Sequence, residues 1–248
     1  MGRTLILALL SLVAGRAQSP AFDVASVKPS PPSETHYINI NLGTLQHGVL
    51  TLTNTTLSEC VQYAYGLVSE EQIDGPDWIR DRHFRVDIVA KTSPGTPRGQ
   101  VLSMTQALLV ERFHMELHRE PKPVRHLELT IGRKGSKLPA SPEGAEIHPG
   151  TYDRGRLFYE HQSMHNFTVL LSRQLKQPVL DLTGLTGFYD IHLEWAPDDP
   201  APAETGNVAP LPDIFQAVEE QLGLHLESTK APIEVIVIDR ADKVPVAN

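Results

Sequence analysis

Two stretches of this chain, ERFHMELH at 111–118 and EQLGLHLE at 220–227, pass from a helical into an alternating spacing, 109 positions apart. An echo of this kind constrains the fold more than composition does. If one short unit of helix and strand occurs twice, the chain must place two similar sheets and two similar helix layers around its apolar faces. The inward positions of the first copy, Phe113, Met115 and Leu117, match Leu222, Leu224 and Leu226 of the second. The outward positions His114, Glu116 and His118 match Gly223, His225 and Glu227, so polarity persists there while identity does not. Both copies need an apolar face over a core.

The echo extends along the chain. Thr56 and Glu59 have the spacing of a capping box, and Leu57, Cys60, Val61 and Ala64 follow at helical intervals. The counterpart is a helix capped by Asn166, with Phe167, Leu170, Leu171 and Leu175 as its apolar stripe. Each helix is preceded by an alternating stretch, VLTLTN at 49–54 and RLFYEHQ at 156–162, that suits a strand. A further strand follows in each half, VDIVA at 86–90 and YDIHL at 189–193. Loops rich in Pro and Gly come next, and then helices expected to start near Ser103, with Gln106, and near Asp213, with Gln216. After the echo, PVRHLELTI at 123–131 and PIEVIVI at 232–238 keep the same offset, with Pro123 matching Pro232. The expected fold is α+β, two pseudo-duplicated strand-helix-strand-helix-strand halves at 18–122 and 123–248 sharing one core.

The first residues carry Arg3, an uncharged run from Leu5 to Ala14, and Gly15 and Ala17 placed for cleavage before Gln18. Residues 1–17 therefore read as a signal peptide, since the run falls short of the roughly 20 apolar residues that span a bilayer. No later stretch is long enough to span, so the processed chain is expected to be extracytoplasmic, periplasmic or secreted. The formal charge is −8, and loss of Arg3 and Arg16 deepens it by two. Such a surface repels phosphate and argues against nucleic acid as a partner. Cys60 is the single cysteine, on an apolar helix face, and reads as a buried structural thiol.

Candidate chemistry is sparse. His114, Glu116, His118 and Glu120 alternate on one expected strand face, but His114 and His118 would lie about 13 Å apart at about 3.3 Å per residue. That is too far for one zinc ion held by bonds of about 2 Å, and the set reads as a solvated polar face. His161 and His165, with Glu160 beside them, have helical metal spacing but are placed at a strand end and the approach to the Asn166 cap, outside any helix. His192 and Glu194 share a strand face in the second half. Asp77, Asp81, Asp87, Asp190 and Glu194 are available for acid and base chemistry, and spacing singles out none of them. There is no GxSxG elbow and no SxxK box. LTGLTGF at 182–188 lacks the lysine and helix of a phosphate loop and reads as a turn. The GPDW turn at 75–78 offers Trp78, with Tyr65, as a possible ligand platform, against a core role beside Phe84.

The stretches FDVASVKPS (22–30), LSECVQYAYGL (57–67), GPDW (75–78), ALLVERFHMELHRE (107–120), TGLTGFYDIHLEW (183–195) and EQLGLHLE with VIVID (235–239) resemble an uncharacterised family of exported proteins. That family, a domain of unknown function, is numerous in soil bacteria, acidobacteria above all. The resemblance implies an extracytoplasmic α+β domain and supplies no catalytic or binding residue. DIFQAVEEQLGLHLE at 213–227 is also similar to the short N-terminal module of secretins and TonB-linked receptors, which mediates contacts between envelope proteins. The resulting expectation is a non-catalytic module that binds an envelope protein or small ligand, without cofactor. The rival is an exported hydrolase, metal-assisted through His161 and His165 or His192 and Glu194.

Overall fold

A computed structural model describes residues 20–31, 41–142, 150–153, 155–197 and 211–246. Residues 1–17, expected to be a signal peptide, lie outside them, as does most of the segment 196–212. The fold is α+β. In chain order the elements are β1 (Val24–Pro29), β2 (Asn41–Gln46), β3 (Val49–Thr56), α1 (Leu57–Tyr65), β4 (Ile73–Asp74) and β5 (Arg85–Lys91). They continue with α2 (Arg98–Phe113), β6 (Glu116–Ile131), β7 (Thr151–Asp153), β8 (Arg156–Gln162) and α3 (Met164–Leu175). The chain closes with β9 (Val179–Asp181), β10 (Tyr189–Glu194), α4 (Ile214–Leu222) and β11 (Leu224–Arg240). Two single-turn 3₁₀ helices, Glu70–Gln72 and Asp77–Arg80, flank β4. The order strand, helix, short strand, strand, helix, long strand thus occurs from β3 to β6 and again from β8 to β11.

Local chemistry explains most of these boundaries. The Thr56 hydroxyl accepts from the Glu59 amide, and the Glu59 carboxylate accepts from the Thr56 amide, so the capping box is complete. Asp213 caps α4 by accepting from the Gln216 amide. Two expected starts shift. The cap of α3 is Ser163, whose hydroxyl accepts from the Asn166 amide, so Asn166 stands inside the first turn. The second helix of the first half begins at Arg98 after Pro97, five residues before Ser103, whose hydroxyl donates to the Gly99 carbonyl of the preceding turn. Gln106 likewise caps nothing at its own helix start; its amide donates to the Ala64 carbonyl at the end of α1.

The echoed stretches end alike. His114 and Gly223 are both left-handed C-caps, with φ of 42° and 66°, and the strands start just beyond them. His114 therefore does not share a strand face with Glu116, His118 and Glu120, because the helix has to be terminated there. Five of the six inward positions, Phe113, Met115, Leu222, Leu224 and Leu226, belong to the core, and Leu117 is half-buried against it.

Long strands β6 and β11 pair antiparallel along almost their whole length, with Pro123 directly opposite Pro232. Short strand β4 adds in parallel to β11 at Ile236 and Val237, and β9 adds in parallel to β6 from Leu127 to Leu129. Each half therefore lends its short strand to the long strand of the other half. The buried residues form two clusters. One joins Leu50, Leu52, Ile88, Leu109 and Phe113 of the first half to Ile236 and Ile238 of β11. The other joins Leu157, Phe167, Leu171 and Ile191 of the second half to Leu127 and Leu129 of β6. Where only these two strands pair, no residue from Arg119 to Arg125 or from Glu227 to Pro232 is buried. Pro121, Pro123 and Pro232 sit in that open stretch, where a missing N–H faces solvent rather than a third strand. Two lobes with exchanged strands thus hang on one ribbon.

Candidate functional site

The histidines do not converge. His161, last but one in β8, has a φ of 53°, stacks on Phe188 with ring centroids 4.1 Å apart, and places Nδ1 3.1 Å from the Ser141 hydroxyl. Its backbone amide donates to the Asp190 carboxylate. His165 lies inside α3 as its second residue, not ahead of the helix, because the cap is Ser163. His192 packs against Phe158, and Glu194 pairs with the Arg156 guanidinium at 3.1 Å. In the first half His118 Nδ1 meets the Asp239 carboxylate at 2.8 Å, and that bond is the main cause raising its pKa. His114 meets Asp242 at the same distance. Among the described residues no group of three His, Cys, Asp or Glu side chains stands where one metal ion could be held.

The carboxylates available for acid and base work are similarly dispersed. Asp87 accepts from the Ser30 hydroxyl and the Asn54 amide, Asp81 from His83, and Asp190 and Glu194 are engaged as above. Trp78 is half-buried beside the first core, edge-on to Phe84 with centroids 6.4 Å apart, and the Lys243 ammonium stands 5.9 Å from its ring. Tyr65, also half-buried, lies beneath the Arg119 guanidinium at 5.5 Å, and burial raises its pKa. A cation already stands over each ring of the expected platform.

A concavity to which both lobes contribute lies elsewhere, between them. α1 and α3, which hold the same place in the repeated order, face each other across a cleft of about 270 Å³. From the first lobe come Glu59, Gln62 and Tyr63 of α1, Leu67 beyond it, Arg98 at the start of α2, and Asn41–Gly43 of β2. From the second come Tyr159 and Gln162 of β8 with His165, Asn166, Val169, Leu170 and Arg173 of α3. Past Gln62 and Arg173 the cleft runs on into a groove of about 200 Å³, which Arg82 and Lys176 line together with Glu70 and Glu71.

The floor on the first-lobe side is pinned. Gly43 has a φ of 122°, and a Cβ there would stand 2.3 Å from the ring of Tyr63, so the backbone lies directly on the aromatic face. The Arg98 guanidinium stands 5.9 Å from the centre of the same ring. Burial raises the Tyr63 pKa and Arg98 partly offsets it, which keeps the phenol protonated at neutral pH. Across the cleft, burial lowers the His165 pKa and the Arg98 charge lowers it further, against a smaller opposing pull from Asp181. His165 is accordingly neutral, with one ring donor and one ring acceptor. Ser172 ties the far wall to its sheet by accepting from the Val179 amide at 2.8 Å. Of these lining residues the sequence singled out only His165. Glu59 and Asn166 entered only as cap residues and Leu170 as part of an apolar stripe, and the cleft itself has no local motif, since it is made by long-range packing of two helices 107 positions apart at their caps, Thr56 and Ser163.

An α+β protein of two strand-exchanged lobes with a mixed polar and apolar cleft between them is the class that this geometry defines. The chain belongs to the family described as protein of unknown function DUF3738, whose profile matches residues 58–241. That span runs from α1 to the end of β11 and so contains both helices that wall the cleft. No curated protein and no solved structure matches the chain. Among the described residues no helix is long and apolar enough to cross a membrane.

Proposed function

We propose that this chain is an exported, non-catalytic binding protein that holds a small ligand in the cleft between its lobes. The observation that carries the reading is the cleft itself, to which both lobes contribute side chains through equivalent helices, α1 and α3. Its volume of about 270 Å³ is close to the lower end of small-molecule sites, roughly 300 Å³ and upward. Its lining is more polar than that of most such sites, with Leu42, Leu67, Val169 and Leu170 set among polar and charged side chains, so polar contacts carry recognition there. The rival reading as a metal-assisted hydrolase draws no support from histidines that each face a different neighbour.

The same proposal takes residues 1–17 as a cleaved export signal and the two halves as descendants of one duplicated unit. It places the chain among the exported proteins numerous in soil bacteria, and reads residues 213–227, which form α4 and the start of β11, as similar to the secretin and TonB-receptor module. Amide NMR spectra of the isotope-labelled chain, recorded with cocktails of small fragments, test the binding reading. Hits should perturb Glu59–Tyr63 and His165–Arg173 together. Hits confined to Trp78 and Phe84 would move the site to that turn, and an absence of hits at millimolar concentration would leave a protein partner as the ligand.

A further inference from the structure

We infer that the cleft takes a small amphiphilic organic anion, its carboxylate or phosphate head held between Arg98 of one lobe and Arg173 of the other. The inference rests on the reading of the cleft as the binding site and adds the chemistry of its occupant.

Charge is the first argument. Arg112, Arg119, Arg156 and Arg240 each have a carboxylate within ion-pair distance. Among the described residues neither Arg98 nor Arg173 has one, although the chain carries a net charge of −8. Glu59 is the one acid among the lining residues, with one carboxylate oxygen accepting from the Thr56 amide at 2.8 Å, against the two guanidinium groups. The lining of the cleft thus carries two cations against one acid in a protein that is acidic overall, and a guanidinium presents a planar fork of donors that fits an oxyanion.

Preorganisation is the second. Arg98 is held over the Tyr63 ring, and that ring is pinned by Gly43. Asn41 has its side-chain oxygen engaged by the Gly43 amide at 3.0 Å and the Thr44 hydroxyl at 2.9 Å, so its remaining side-chain capacity is that of a donor. The neutral His165 adds hydrogen-bonding capacity without adding charge. The apolar remainder of the wall, Leu42, Leu67, Val169 and Leu170, has no role in holding an oxyanion and suits a short hydrocarbon portion.

Three probes of matched length decide the matter: hexanoate, hexyl phosphate and neutral hexanamide, titrated into the isotope-labelled chain and into Arg98→Gln and Arg173→Gln variants. Both arginines are exposed, so the substitutions leave the fold intact. At least one anion should bind at the α1 and α3 amides roughly tenfold or more tighter than hexanamide, as a hydrogen bond to a charged group contributes. Each substitution should remove most of that preference, and the tighter of the two anions identifies the head group. Equal binding of hexanamide in the cleft, or a preference that survives both substitutions, would overturn the anion inference and leave the cleft as the site. No perturbation of the cleft amides by any of the three would overturn the cleft reading as well.

Discussion

Truncating Ile236 to alanine should damage the half of the molecule to which Ile236 does not belong in sequence. The side chain is fully buried on β11, yet it packs in the first core with Leu50, Ile88 and Phe113, while β11 begins in the second. Removing three buried carbons forfeits about 2.4 kcal/mol at about 0.8 kcal/mol each. The cavity left behind brings the loss to about 3 to 4 kcal/mol, within the usual range for such truncations. For a chain of this length that corresponds to a melting shift of about 6 to 16 °C. Leu127→Ala, also fully buried, should cost a similar amount through the second core. Hydrogen exchange followed by mass spectrometry tells the two apart. With Ile236→Ala the earliest loss of protection should map to β3, α1 and β5, and with Leu127→Ala to β8, α3 and β10. If both variants loosen the same lobe, or if Ile236→Ala loosens α3 and α4 first, the strand exchange described above is wrong.

Other consequences follow from single contacts. Gly43→Ala puts a Cβ within 2.3 Å of the Tyr63 ring at a φ of 122°, so urea unfolding should show a loss of about 2 kcal/mol from strain and displacement. A loss below about 0.5 kcal/mol, the size of an ordinary surface change, would mean that the backbone does not lie on that ring. The pKa of His118 is raised above 6.5, chiefly by its bond to Asp239, so that pair stabilises the fold below pH 6.5 and ceases to do so as pH rises through the folded value. Urea midpoints between about pH 5 and 8 should lose that component in His118→Asn and be unchanged if the pair is irrelevant. Burial pushes the Cys60 thiol up to about 12, so iodoacetamide should label the native chain negligibly at neutral pH and label it fully in denaturant. Prompt native labelling would contradict the burial of α1.

The capping box at Thr56, the Asp213 cap, the alternating strands and the apolar face of the Cys60 helix were legible because each is a local pattern enforced by local hydrogen bonding or burial. The misplaced helix starts show where that fails. Ser103 and Asn166 look like caps, but Ser103 satisfies its hydroxyl within the helix and Asn166 sits three residues inside a cap supplied by Ser163. His114 looked like a strand residue because alternation continued through it, whereas the helix needed a left-handed terminator there. The exchange of β4 and β9 between halves leaves no local trace, since two- and three-residue strands have no periodicity to read. The cleft is further still from the sequence: Tyr63, Arg98 and Arg173 meet only because the β6 and β11 ribbon brings α1 and α3 face to face.

If a ligand occupies the space between α1 and α3, filling that space should exclude it. Val169 lines the cleft from α3 and is only half-buried, so Val169→Trp plugs it without entering either core. Fragment-cocktail NMR on this variant and on the unaltered chain, with melting curves to verify folding, is the measurement. Perturbations at Glu59–Tyr63 and His165–Arg173 should appear in the unaltered chain and vanish in the plugged one while the melting transition persists. Perturbations that survive the plug, or that never involve these two helices, would contradict a ligand in that space.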